Sequence, residues 1–306
     1  MKPKIVVIGS ANTDLVVNVD KLPEAGETVL GKDYTTYQGG KGANQAVAAA
    51  RLGAEITFIC RLGQDKNGQD AFATYKEEGI NTDYIVWDEE TPSGIALIIV
   101  KEGGDNIIAV APGANGKLSS EDVKICEEVI KSADCILLQL EIPIETVVSA
   151  IDLASKHGVR VILNPAPATD LPKSLKGKID TLTPNETEVA ILGGGNTRSP
   201  IKYLAYELQS KYKINNMVVT LGEKGALISS FHHKKIVVPN VESLDATGAG
   251  DASNGALAVA LARKENIEDA VRFANSVAAI STTRLGAQNS FPSLDEVKEF
   301  IKDSEC

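Results

Sequence analysis

The chain has 306 residues, 43% apolar and 24% charged, enough for one large α/β domain or two smaller ones with a core that needs no disulfide or structural metal. Asp and Glu number 41 against 31 Lys and Arg, a net charge of −10, and no basic stripe offsets it, the Lys234-Lys235 pair being isolated. That balance argues against a nucleic-acid partner, and the composition excludes disordered, collagen-like and low-complexity chains.

In chain order, Ile5-Val6-Val7-Ile8 reads as a buried first strand, too short for a signal peptide. A small-residue helix is expected over 43–52, closed by Gly53 at C′, then a strand over 56–60 and a helix over 68–78 closed by Gly79. A helix over 121–132, a strand over 135–140, a helix over 145–157 closed by Gly158, and strands over 159–163 and 179–182 follow. Helices over 186–192 and 201–212 and a strand over 217–220 continue the alternation, and from Gly248 onward the chain reads as almost wholly helical. Repeated strand–helix–strand units imply a mostly parallel sheet covered on both faces.

Two segments, 15–37 and 91–111, break the pattern with short strands at 15–19, 29–30, 95–100 and 107–110, and no helix. They are either edge hairpins of the main sheet or a small separate sheet that acts as a lid. Cys60 and Cys135 sit in apolar strands and read as core thiols; Cys126 and Cys306 add no CxxC spacing. His157 at a helix end and His232-His233 in a polar turn form no zinc pattern. No apolar stretch approaches membrane-spanning length, so a cytoplasmic protein with no membrane partner is expected.

The most informative stretch is Asp245-Ala246-Thr247-Gly248-Ala249-Gly250-Asp251, which opens an apolar-periodic helix. Glycines let backbone N–H groups approach a ligand, and a helix N-terminus adds positive potential, so this loop suits a phosphate or a transferring phosphoryl group. Asp251 is either an ordinary N-terminal cap or a base that takes a proton from an attacking hydroxyl, since a carboxylate beside an anion hole repels phosphate. The GxxxxGK[ST] loop, the GxGxxG fingerprint after the first strand and kinase HRD or DFG runs are all missing.

Gly248-Ala249-Gly250-Asp251 resembles the C-terminal signature of the ribokinase-like family of ATP-dependent carbohydrate kinases, and Gly39-Gly40-Lys41-Gly42-Ala43-Asn44-Gln45-Ala46 resembles its N-terminal one. Gln139-Leu140-Glu141, Asn164-Pro165-Ala166-Pro167, Thr183-Pro184-Asn185-Glu186-Thr187-Glu188, Thr220-Leu221-Gly222-Glu223-Lys224-Gly225 and Thr283-Arg284-Leu285-Gly286-Ala287-Gln288 extend the match along the whole chain. The runs over 39–45 and 283–288 are similar to those of the ribose-phosphorylating members. The resemblance implies an α/β fold: a three-layer Rossmann-like sandwich with a mostly parallel central sheet and a small β lid. The core would comprise 1–14, 38–90 and 112–306, and the lid 15–37 and 91–111, the lid also joining a homodimer.

The resemblance further implies that D-ribose is held by Asn12, Thr13, Asp14, Gly40, Lys41, Gly42, Ala43, Asn44 and Glu141. It places ATP along Thr220, Leu221, Gly222, Glu223, Lys224 and Gly225, with Asn275 beside adenine and Gly250 and Asp251 facing the γ-phosphate. Asn185 and Glu188 would lie near the phosphates and Mg2+. Asp245, Thr247, Ser281, Arg284, Gly286 and Ser290 would bind an activating K+ behind the Gly248, Ala249, Gly250 hole. Read by themselves, Asn12 and Asp14 are equally a loop-capping pair, Asn185 a helix cap, Glu188 a solvated first-turn carboxylate and Lys41 a loop lysine. The chain departs from the family pattern at Ala246, where a hydroxyl residue is usual, and at Ala252-Ser253, where Thr-Phe is commoner. Other acceptors in the family (deoxyribose, fructose, adenosine) and a non-catalytic sugar-binding protein on the same fold are the rival readings.

Overall fold

Ile5, Val6, Val7 and Ile8 are all buried because the first strand, β1 (Lys4–Ile8), lies inside a sheet covered on both faces. The structure is a computed structural model that describes residues 2–101, 105–195, 199–229 and 233–304; the readings made on His232 and Cys306 lie outside the described residues. After β1 come β2 (Asn12–Val19), β3 (Tyr34–Gly39), α1 (Lys41–Arg51), β4 (Glu55–Ile59), β5 (Arg61–Gly63), α2 (Lys66–Glu77), β6 (Val86–Asp88), β7 (Gly94–Lys101) and β8 (Asn106–Ala111). Next are α3 (Ser120–Ile125), α4 (Glu127–Lys131), β9 (Cys135–Leu138), α5 (Ile144–Lys156), β10 (Arg160–Leu163), β11 (Thr181–Leu182), α6 (Glu186–Leu192) and α7 (Ile201–Tyr212). The chain closes with β12 (Asn216–Thr220), β13 (Ala226–Ser229), β14 (Lys234–Ile236), α8 (Ala249–Ala262), α9 (Ile267–Ser281) and α10 (Leu294–Ser304).

The main sheet has eight strands in the order β14-β13-β12-β11-β10-β9-β1-β4, parallel from β4 to β12 with an antiparallel edge of β13 and β14. Strand alternation divides the core. Ile5 and Val7 face α1, α8 and α9, while Val6 and Ile8 join the cluster under α3 to α7. The small residues of α1 let it pack closely on α8: a side chain at Gly255 would stand 2.9 Å from the Ala48 methyl.

The two helix-free segments form a second, four-stranded sheet, β3-β2-β7-β8, and are not edge hairpins of the main one. Here β2 runs parallel to β7 and antiparallel to β3, and β7 pairs antiparallel with β8. The strand expected from residue 15 starts at Asn12, because the turn after β1 needs only residues 9–11. Residues 29–30 are irregular; their place is taken by β3, whose Tyr34-Thr35-Thr36-Tyr37-Gln38-Gly39 is too polar to signal a strand by alternation. The helix expected over 121–132 is two short helices that meet at Cys126. Strand β9 ends at Leu138, where Gln139 turns its side chain toward α1. Cys60 and Cys135 are fully buried free thiols, as expected, and His157 caps the end of α5. Among the described residues no helix is long and apolar enough to cross a membrane.

Candidate active site

The site lies at the carboxyl ends of the central strands, where ligands of open α/β sheets bind, and two helix N-termini converge there. Gly40 precedes α1 with φ +87°, and a side chain on it would stand 2.7 Å from the Asn12 nitrogen. This close approach brings α1 against the β1–β2 turn. Glu141 fills the N-terminus of α1: its Oε2 accepts from the Lys41 backbone N–H (3.1 Å) and from the Ser10 hydroxyl (2.5 Å). The positive end of that helix thus holds a protein carboxylate.

The N-terminus of α8 is left open. Gly248 precedes the helix with φ +76° and no side chain caps it. Ala249, one residue of the expected hole, donates its N–H to the Ala246 carbonyl (3.2 Å), which leaves the N–H groups of Gly250 and Asp251 as the free first-turn donors. Asp251 is buried yet does not cap its helix. Its Oδ2 accepts from Asn44 Nδ2 and its Oδ1 from Gln45 Nε2, each at 2.9 Å. The capping alternative for Asp251 is therefore set aside by geometry.

The expected sugar-side residues gather around Lys41. Asn12 and Asp14 alternate with Thr13 along β2, so Thr13 faces the opposite side of the small sheet and is not brought together with them. Asn12 Oδ1 accepts from Asn115 Nδ2 (2.7 Å), and Asn115 also bonds both backbone groups of Ala11. Neither Asn12 nor Asp14 caps a loop. The Asp251 carboxylate, more than Glu141, Glu188 and Asp14, holds the Lys41 ammonium above its ordinary value despite burial. Burial, then the charges of Glu141 and Asp251, raises the Asp14 carboxyl to about 6 against the pull of Lys41.

The folded state thus holds a proton on Asp14 more tightly than the unfolded chain does. Its contribution to stability is most favourable below pH 4, declines as pH rises toward 6, and is flat above. Asp14→Asn should therefore raise the melting temperature at pH 8 by roughly 2–6 °C, and the gain should vanish toward pH 4. Thermal melts at the two pH values check this; an equal gain at both would contradict it.

On the other flank of α8 opens a cleft of 730 Å³, within the usual range for ligand pockets. Of the residues expected along the nucleotide, Asn185, Thr220, Gly222, Glu223, Gly225, Gly250 and Asn275 line it, while Glu188, Leu221, Lys224 and Asp251 do not. The opposite wall, Val238-Pro239-Asn240-Val241 with Ala278, Ala279 and Thr282, carries no sequence motif and was not anticipated. Asn275 donates to the Ile236 and Val237 carbonyls (3.1 and 3.2 Å), which fixes the end of β14 against the cleft. Of the departures from the family pattern, Ala246 and Ser253 line the cleft, whereas Ala252 is wholly buried in the core.

Asn185 and Glu188 form a reciprocal capping box on α6, each side chain accepting from the other's N–H at 2.8 Å, so the cap reading of Asn185 holds. Glu188 is half-buried rather than solvated; burial raises its carboxyl although the Asn185 N–H and Lys41 oppose it, and a cation at its free oxygen would relieve that cost. Asp245 joins two loops: Oδ1 accepts from the Thr247 N–H and hydroxyl (2.9 and 2.6 Å), and Oδ2 from the Gly286 N–H (2.8 Å). Despite partial burial, these bonds hold its carboxyl below the ordinary value. Ser281 and Ser290 are fully buried, their hydroxyls bonded to the Ala278 and Ala287 carbonyls, and Arg284 pairs with Glu296. Asp245, Thr247 and Gly286 are thereby brought together, while the Ser281, Ser290 and Arg284 side chains bond to other partners.

The model of the pfkB family carbohydrate kinases matches residues 2–294. The chain is 40% identical over 306 residues to a ribokinase of Haemophilus influenzae, covering 99% of each, and 39% identical over 306 residues to a deoxyribokinase of Salmonella typhi, covering 98% of this chain and 99% of that one. A solved structure of Arabidopsis thaliana ribokinase complexed with ribose and ATP superposes with a TM-score of 0.89 at 33% identity, with 99% of each chain covered. With an open helix terminus, a buried carboxylate beside it and matches along its whole length, the chain belongs to the pfkB family of carbohydrate kinases.

Proposed function

We propose that this enzyme transfers the γ-phosphoryl group of ATP to the 5-hydroxyl of D-ribose, giving ribose 5-phosphate and ADP. The observation that carries the reading is Asp251, a buried carboxylate whose two oxygens are pinned by amides beside the open N–H groups of α8. Asn12, Asp14, Asn44 and Glu141 offer carboxylate and amide groups to the sugar hydroxyls. Asp251 takes the proton of the attacking hydroxyl. The N–H groups of Gly250 and Asp251 stabilise the charge on the moving phosphoryl, and Lys41 balances the carboxylates around it. The four-stranded sheet serves as a lid that excludes water from the transfer.

Mg2+ would be held by Glu188 and Asn185, through its waters, and supplies charge neutralisation on the phosphates. Asp245, Thr247, Gly286, Ser290 and the carbonyls of Ser281 and Arg284 would hold K+, stiffening the loop before α8. The small sheet exposes Leu97 and Ile107 on one face and Ile108 and Val110 on the other, apolar surface that fits a homodimer joined through the lids. A nucleotide substrate and free buried thiols suit the cytoplasm.

A second reading, 2-deoxyribose as acceptor, rests on the near-equal identity to the deoxyribokinase. ADP release measured over ribose, deoxyribose, fructose and adenosine, with and without K+, decides between them. Ribose should give the highest kcat/KM, and K+ should raise it; a better kcat/KM for another acceptor would overturn the substrate assignment, and sugar binding without ADP release would overturn the chemistry.

A further inference from the structure

Three amide side chains beneath Asp251 form a chain whose donor–acceptor polarity is set from one end. Asn164 Nδ2 donates to the Thr183 carbonyl (3.0 Å), a backbone oxygen that can only accept. Asn164 Oδ1 must therefore face Gln45, whose Nε2 donates to it at 3.1 Å and to Asp251 Oδ1 at 2.9 Å. Gln45 Oε1 then faces the third amide and accepts from Gln139 Nε2 (2.6 Å). A flip of any one amide would set donor against donor or oxygen against oxygen. Gln45 and Gln139 are completely buried, and Asn164 is nearly so. Gly9 makes room for the assembly, since a side chain there would stand 2.0 Å from Gln139 Oε1. A chain of three buried amides is costly unless satisfied, and a core of leucines would pack as well. Gln139 Oε1 finds no partner, and the bonds that leave the chain run to the Thr183 carbonyl and to the carboxylate of Asp251.

We propose that Gln45, held in register by Asn164 and Gln139, is the positioning residue that aims the Asp251 carboxylate at the acceptor hydroxyl. The inference rests on the reading of Asp251 as the base. Gln45 presents N–H and never oxygen to Oδ1, while Asn44, itself oriented by Gln288 Nε2 (3.0 Å), does the same to Oδ2. The carboxylate is thereby fixed in plane and kept as an acceptor, with its remaining lone pairs free for the substrate. The charged groups coupled to Asp251 are Lys41, Asp14 and Glu188, and none of them belongs to the chain of amides. Removing Gln45 thus changes hydrogen bonding to Asp251 without changing the charge around it.

The test is the pH dependence of kcat at saturating sugar and MgATP for Gln45→Met, which keeps length and volume but donates nothing. The expected result is a kcat lower by roughly 10–100-fold with the KM for ATP little changed, and an acid limb displaced upward by about one pH unit, because the ionised carboxylate has lost a donor. The double variant Gln45→Met, Gln139→Leu removes the donor that the single change leaves without an acceptor, and provides the measurement if the single variant does not fold. An acid limb unmoved in the folded variant, with only its melting temperature lowered, would mean that the amides are mere filling and overturn the inference. Asp251→Asn, run alongside, separates the two claims: turnover retained there sinks the base itself, whereas turnover lost there with an unmoved limb in Gln45→Met sinks only the positioning role.

Discussion

Asp251→Asn is expected to lower kcat by 10²–10⁴-fold, the usual scale for loss of a general base, while the protein stays folded. The carboxylate accepts from Asn44 Nδ2 and Gln45 Nε2 on its two oxygens. An amide at this place can still accept on one side but must turn its NH2 toward another NH2 on the other. Gln45 cannot rotate to accommodate it, because its own orientation is fixed through Asn164 and Gln139. The variant should therefore lose about 1–3 kcal/mol of stability as well, the cost of a buried donor without an acceptor. Thermal melts and steady-state turnover on the same preparation separate the two effects. Near-normal turnover would remove Asp251 from the reaction.

Gly248→Ala is expected to lower kcat by about 10²-fold, the loss seen when one stabilising donor is misplaced. The glycine precedes α8 at φ +76°, a left-handed conformation that costs an alanine about 1–2 kcal/mol. An added methyl would also stand 2.8 Å from the Ala287 Cβ and 2.9 Å from its Cα, so the backbone of the 286–290 loop blocks it. The strain can be relieved only by moving the first turn of α8, and with it the N–H groups of Gly250 and Asp251. The KM for sugar should change little, since Asn12, Asp14 and Glu141 sit on other elements. A Gly248→Ala enzyme with unaltered kcat and only a lower melting temperature would show that the open helix terminus does not serve the transfer.

Much of this architecture is legible in the sequence. Apolar runs such as Ile5 to Ile8 and Cys135 to Leu138 mark parallel strands because both faces are buried, and glycines 53, 79 and 158 end their helices with the positive φ that the cap requires. The small sheet is half legible: β7 and β8 are apolar, but β3 is not, and its place in the sheet depends on pairing with β2, which no local pattern records. The same holds at the site. Asp251, Asn44 and Glu141 lie in runs that match the family signatures, whereas Asn115 acquires its bond to Asn12 across 103 residues from a short helical turn with no distinguishing pattern. Gln45 stands inside the signature, yet its work becomes visible only when Asn164, 119 residues away, is placed beside it. The far wall of the cleft, Val238 to Val241, is irregular backbone whose position follows from β14 and Asn275 rather than from any period. A net charge of −10 does not exclude an anionic nucleotide, because an open helix terminus such as that of α8 attracts anions locally.

Phosphorus and carbon NMR of the product formed from ribose, ATP, Mg2+ and K+ tests the proposed chemistry at its centre. The expected product carries one phosphate ester on C5, formed together with one equivalent of ADP. Phosphate found on C1, or ADP released with inorganic phosphate and unmodified ribose, would contradict a carboxylate aimed at the 5-hydroxyl.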